Sequence, residues 1–251
     1  MPYIFPVYPL GQDTPGAPII NGATQLYPYT PAPEPGYAHW LLGGDGSSLV
    51  PYGGDATLTA QGVSHKWGSN YVNLPSYQNA LISSVADATV QTFYAAVRYA
   101  PVSGKNVIVV GNISLASQGA GIWIDGNGNV CTILRNSSGT VLVNHGVPAN
   151  TAVGDWIFLG LSKRVEAGVS KTLTSVGSVV YEVVWPAVQA VSGSNHIAIG
   201  NPLNSSSTYT PADLRVGELL IKPNLADSAA QMMSVYSHSR ARLAPRGIML
   251  K

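Results

Sequence analysis

Three consecutive stretches near the end of the chain decide its architecture. They are His196-Ile-Ala-Ile-Gly200, Asp213-Leu-Arg-Val-Gly-Glu-Leu-Leu-Ile-Lys222, and Leu225-Ala-Asp-Ser-Ala-Ala-Gln-Met-Met-Ser-Val-Tyr-Ser-His-Ser-Arg-Ala-Arg-Leu243. In the second, Leu214, Val216, Glu218, Leu220 and Lys222 alternate with Arg215, Gly217, Leu219 and Ile221. Both faces therefore carry apolar groups, the pattern of an inner strand. Pro223 and Asn224 stop it. The third stretch has helical spacing, with Ala229, Met232, Met233, Tyr236 and Leu243 on one face. Asp227 or Ser228 can cap its start, Arg240 and Arg242 suit the negative end of its dipole, and Pro245 and Gly247 end it.

This run resembles the closing strand and helix of laminin G-like, concanavalin A-like jelly-roll domains. Ile199-Gly200, Val216-Gly217-Glu218-Leu219-Leu220-Ile221 and the run from Leu225 to Tyr236 stand where that family has an Ile-Gly turn, a closing strand and a short helix. Ser228-Ala229-Ala230-Gln231 departs from the usual acidic helix start. Upstream, Thr89 to Tyr99 resembles a further inner strand of the family, and Asp155-Trp-Ile-Phe-Leu-Gly-Leu-Ser162 another. The resemblance implies an all-β, two-sheet antiparallel sandwich with one C-terminal helix. It implies no single function, because such sandwiches serve sugar binding, catalysis and scaffolding alike.

The rest of the pattern agrees. Gly121-Ile-Trp-Ile-Asp-Gly-Asn-Gly-Asn-Val-Cys-Thr-Ile-Leu134 is two apolar runs joined by residues that tolerate positive φ, a hairpin. Val176-Gly177 turns a second one. About 12 to 14 strands are expected, enough for two packed sheets.

Residues 1–35 stand apart as an extended arm, leaving 36–251 for the sandwich. Nine of the chain's 18 prolines lie in the arm, at 2, 6, 9, 15, 18, 28, 31, 33 and 35. Prolines at that density forbid a helix and deny a sheet its donors. Tyr3, Ile4, Phe5, Val7 and Tyr8 are too apolar for a solvated linker and are the candidate docking residues, in cis along the sandwich or in trans on a neighbouring subunit.

Charged residues make up 10% of the 251 and the net charge is +1, which argues against a nucleic-acid surface. No Lys or Arg precedes Lys66, whereas Arg240, Arg242, Arg246 and Lys251 crowd the end, as a solvated helix end or a docking patch for an acidic partner. The start has no basic segment and its prolines break the apolar run, so no secretory leader is expected. No stretch reaches the roughly 18 apolar residues of a membrane span.

The single cysteine, Cys131, reads as a small buried apolar group. The acids stand singly, without the paired carboxylates of a glycoside hydrolase, and Glu218 reads as a structural carboxylate at the sandwich edge. His39, His65, His145, His196 and His238 form no zinc-type pair. No cofactor is expected. Calcium is a candidate only at Asp125-Gly-Asn-Gly-Asn129, which a hairpin turn also explains. Trp123 and Trp156 read as core, and the best glycan platform is Trp67 with Asn70 and Tyr71, in the polar run Lys66-Trp-Gly-Ser-Asn-Tyr71.

Low charge, one cysteine, a proline- and aromatic-rich arm and a lectin-like sandwich together resemble structural proteins of bacteriophage virions. That resemblance implies a non-enzymatic capsid, tail or fibre component located in the virion. Its partners would be other virion proteins and a second copy of itself through the arm, with the sandwich open to host glycans. A carbohydrate-binding lectin is the alternative, and a glycoside hydrolase without a recognisable catalytic pair the third reading.

Overall fold

The computed structural model describes residues 32–62, 65–75, 79–113, 118–136, 139–191, 194–200 and 213–251. The candidate docking residues Tyr3, Ile4, Phe5, Val7 and Tyr8 lie outside them. Among the described residues there are 15 strands and one α-helix. In chain order the strands are β1 (Ala38–Leu41), β2 (Leu58–Gln61), β3 (Lys66–Trp67), β4 (Val72–Leu74), β5 (Ala80–Ala86), β6 (Gln91–Arg98), β7 (Val107–Gly111) and β8 (Ala120–Ile124). They continue with β9 (Val130–Asn136), β10 (Gly139–Gly146), β11 (Trp156–Glu166), β12 (Val169–Val176), β13 (Val179–Val184), β14 (His196–Gly200) and β15 (Leu214–Pro223), followed by α1 (Ala229–Leu243).

All pairings between these strands are antiparallel, and they form two sheets. One runs β13-β12-β11-β6-β15-β4-β3, with β1 alongside β15, and the other runs β10-β9-β8-β7-β14-β5-β2. β15 is the inner strand its sequence implies: β6 pairs along one edge, while β4 and β1 share the other. Alternation then assigns its side chains. Val216, Leu219 and Ile221 enter the core between the sheets with Phe93, Ala95, Val97, Ile157, Leu159 and Leu161. The opposite face presents Tyr94, Ala96, Phe158 and Leu220 to α1, which covers them with Met232, Val235, Tyr236 and Leu243. The core-facing set changes parity from Val216 to Leu219 at the register shift between Val216 and Glu218, a bulge against β6.

α1 starts as a capping box. Ser228 Oγ accepts from the Gln231 amide, and the Gln231 side chain accepts from the Ser228 amide. The departure from an acidic start thus still satisfies two amide donors. Of the two candidate caps Ser228 serves, and Asp227 is turned inward instead. The buried face is Met232, Val235, Tyr236, Ser239, Arg242 and Leu243 rather than one containing Ala229 and Met233.

Arg240 is exposed at the helix end, but Arg242 and Arg246 are not part of a solvated tail. Arg242 is 4% exposed and bonds Glu218 and Glu34; Arg246 donates to the carbonyls of Gly217 and Leu42. Glu218 itself is fully buried in the middle of a sheet, not at the sandwich edge. Its Oε1 accepts from Arg242 Nε at 2.8 Å and from His39 Nε2 at 2.9 Å. The Glu34 amide donates to His39 Nδ1 at 3.1 Å, so that nitrogen holds a lone pair and the imidazole proton sits on Nε2. Burial alone would push the Glu218 carboxyl up; the His39 hydrogen bond and the Arg242 charge more than reverse it and hold it below the ordinary carboxylate range.

Two further buried carboxylates, Asp227 and Asp87, are also paired. Asp227 accepts from Tyr37, Tyr94 and Lys222, and Lys163 Nζ bonds Asp87 and Gln189 while Gln189 also donates to Asp87. His145 lies between the sheets with Thr132, its ring 4.9 Å from that of Tyr181, and burial lowers it to about 4.

Three expectations follow. Arg242→Met removes one partner of a buried ion pair and should cost about 3–5 kcal/mol in urea unfolding at neutral pH. Because Glu218 titrates lower folded than unfolded, its contribution is complete above its ordinary value of 4.5 and is lost as pH falls through the depressed one. The stability gap between the wild type and Glu218→Gln should therefore narrow in acid. His145, likewise lower when folded, should add a decline in stability as pH drops from its ordinary 6.5 towards about 4. His145→Phe, which keeps the ring, should flatten that decline in melting curves recorded across the range.

Candidate functional site

The structure separates the three residues of the sequence-derived platform. Trp67 belongs to the short strand β3, paired with Val72, not to a loop, and it is half-buried against the core between the sheets. Asn70 is a fastening group: its Nδ2 donates to the Arg246 carbonyl at 2.6 Å and holds the chain after α1. The Tyr71 ring lies against Gly68, where a Cβ would come within 2.5 Å of it. The guanidinium of Arg215 lies 5.0 Å above the Tyr71 ring centroid, and the Trp156 ring is 6.2 Å away. Tyr71 is thus a bed for Arg215, which Asp213 holds through Nε at 3.1 Å. These are ordinary packing roles.

Of the two tryptophans read as core, Trp123 is buried on the face of its sheet away from the partner sheet, with Ile108, Ile113, Cys131 and Ile133. Trp156 is half-buried beside the helix-covered cluster. Burial raises the Cys131 thiol to about 11, with the Asp125 charge adding to it, so it packs as the apolar group expected. At the turn before it, Asp125 Oδ1 accepts from the amides of Asn127 and Asn129 at 2.9 and 2.8 Å.

A concave surface lies elsewhere, in a region the sequence did not single out. A groove of about 590 Å³ is bounded by Pro33–Ala38 on one side, by Gly53–Ala56 on another, and by Ser84, Val85 and Pro223. Its volume falls within the range of small-molecule sites. Several contacts build its walls. The turn is tied to β1, since the amides of Tyr52 and Gly53 both donate to the His39 carbonyl and the His39 amide donates to that of Gly53. Pro33 packs on Gly53, where a Cβ would meet it at 2.4 Å, and Gly54 takes φ +78°, which favours glycine, close against Ala38.

Opposite the turn, the neck Pro33–Gly36 is pinned from behind. Glu34 is 8% exposed, with Oε2 accepting from Arg242 at 2.7 Å and Oε1 facing His238 Nδ1 at 3.0 Å. Three residues of the proline-rich stretch, Pro33, Glu34 and Pro35, are therefore part of the body that begins at Pro33. Tyr37 lines the groove and turns its hydroxyl inward to Asp227, and Lys222 Nζ sits 5.1 Å over its ring. Burial and the Asp227 bond drive the Tyr37 hydroxyl above the usual phenol range, so it acts as a donor and not as a base.

The lining alternates in character. Pro33, Pro35, Pro223, Ala56 and Val85 offer apolar surface; Asp55 and Ser84 offer oxygen, and glycines 36, 53 and 54 bring backbone to the surface. Asp55 is exposed and makes no hydrogen bond or ion pair with a described residue. Among the described residues, no three His, Cys, Asp or Glu side chains gather in metal-binding geometry, and no helix is long and apolar enough to cross a membrane.

Searches against protein-family models and against curated proteins gave no match. Solved structures do match in fold. A mutant of Trypanosoma rangeli sialidase displaying trans-sialidase activity superposes with a TM-score of 0.60 at 12% identity, over 84% of this chain and 34% of that one. The botulinum neurotoxin serotype D/C binding domain gives 0.56 at 12% identity, over 80% and 52%. A structure of botulinum neurotoxin type C, whose cell entry is described as dependent on interaction with two ganglioside molecules, gives 0.54 at 13% identity, over 79% and 50%. The chain thus spans a third to a half of these neighbours. What it shares with them is the two-sheet sandwich, the architecture its closing strand and helix imply.

Proposed function

We propose that this chain is a non-enzymatic, lectin-like module that binds a glycan in the groove between Pro33–Ala38 and Gly53–Ala56. The observation that carries the reading is the preformed groove itself. Its proline and aliphatic surface suits the C–H faces of a sugar, and its free carboxylate, hydroxyl and backbone groups suit the hydroxyls. The sandwich supplies the rigid frame, and the neighbours' described dealings with gangliosides and sialic acid support a sugar as the ligand class. The proposal that it is not an enzyme and needs no cofactor is supported by the inner carboxylates, since Glu218, Asp87 and Asp227 are all engaged in buried structural bonds.

In its finer form the proposal places this module in a bacteriophage virion, anchored to neighbouring subunits by the proline- and aromatic-rich residues 1–31. The composition of that segment supports it: apolar side chains on a backbone that proline keeps out of helix and sheet need another surface.

Glycan-array binding by the purified protein tests the module. Asp55→Trp, which puts bulk into the groove from an exposed position, should weaken binding at least about tenfold without lowering the melting temperature. Trp67→Ala should do the reverse, costing about 1–3 kcal/mol of stability while the folded fraction binds normally. Binding that survives Asp55→Trp and disappears specifically in Trp67→Ala would move the site to the platform. For the virion form, deletion of residues 2–30 should lower the assembled mass measured by light scattering; unchanged assembly would contradict it.

A further inference from the structure

We infer, on the reading that this groove is the binding site, that it takes uncharged or amine-bearing sugars and rejects those carrying a carboxylate. The wall contains two acids, Glu34 and Asp55, and no Lys or Arg among the residues that line it. The cations just behind the wall are spent. Arg242 is committed to Glu34 and Glu218, with its third nitrogen on Ser239, and Lys222 is committed to Asp227 at 2.8 Å. Neither is among the residues that line the groove. Glu34 is matched by Arg242, so the charge left facing the groove is that of Asp55, exposed and without a partner among the described residues.

A carboxylate-bearing sugar entering here would trade its hydration for proximity to a like charge, with no donor fork to receive it. A neutral sugar needs only acceptors for its hydroxyl protons, and Asp55 with backbone carbonyls can supply them. An amino sugar gains more, because its ammonium can pair with the unmatched carboxylate. The preference thus opposes a simple transfer of ligand from the fold neighbours, two of whose descriptions name sialic acid and gangliosides. Among the cations away from the groove lining is Arg215, which lies over Tyr71 and is paired with Asp213.

The test uses the full chain on an array carrying the same oligosaccharide cores in neutral, sialic-acid-terminated and glucosamine-containing versions, at low and high salt. The expected order is glucosamine-containing first, neutral next and sialylated last, with steps of about three- to tenfold that shrink in high salt. Asp55→Asn should erase the advantage of the amino sugar over the neutral one, and Asp55→Lys should invert the order. Sialylated cores bound as well as neutral ones, and lost in Asp55→Trp, would overturn the charge preference while leaving the groove as the site. Sialylated binding lost only in Arg215→Gln, or no binding of any version, would overturn both.

Discussion

One buried carboxylate holds the described body together. Glu218, in the middle of the strand that joins three neighbours, receives Arg242 from the helix and His39 from β1, and Arg242 passes the connection to Glu34 in the neck. A charge in that position is expensive unless it is paired and hydrogen-bonded. The pairing therefore dictates where the helix sits, which way β1 runs beside β15, and where the neck leaves the sandwich. The groove is a by-product of that arrangement, since one of its walls is the neck and another is the turn tied to His39.

The same economy recurs between and behind the sheets. Asp227 gathers two tyrosines and a lysine, and Asp87 closes a triangle with Lys163 and Gln189. A chain with only 12 acids buries several of them in such knots. The carboxylates that remain on concave surface are few, so a single residue, Asp55, sets the charge of the groove. Function on this frame is accordingly a matter of which side chains the structure leaves unspent.

Much of the fold was legible in the chain because period-two alternation and turn residues are local signals. β15, β6 and the β8–β9 hairpin follow directly from apolar alternation and the Asp-Gly-Asn-Gly turn. What could not be read locally was partnership over long separations. Glu218 and Arg242 are 24 residues apart, and Glu34 and Arg242 are 208 apart. Arginines at a helix end look solvated until the opposite carboxylates are placed. Trp67 looked like a free platform because its neighbours are polar, yet pairing with Val72 turns it onto the core. The groove left little trace, because its walls come from four separate segments of unremarkable glycine, proline and alanine. Its one signal was Gly53-Gly-Asp55, two glycines and an acid in a turn following a tyrosine, a pattern shared by many turns.

The central claim is that the neck is welded to the sandwich, so that the groove is built before any ligand arrives. Hydrogen–deuterium exchange measures this directly. The Glu34 amide, bonded to His39, and the amides of Ala38–Leu41 in β1 should be protected to the same order as those of β15 in the ligand-free protein. Exchange of the Glu34 amide and of β1 at the rate of an open loop, with β15 still protected, would contradict the account.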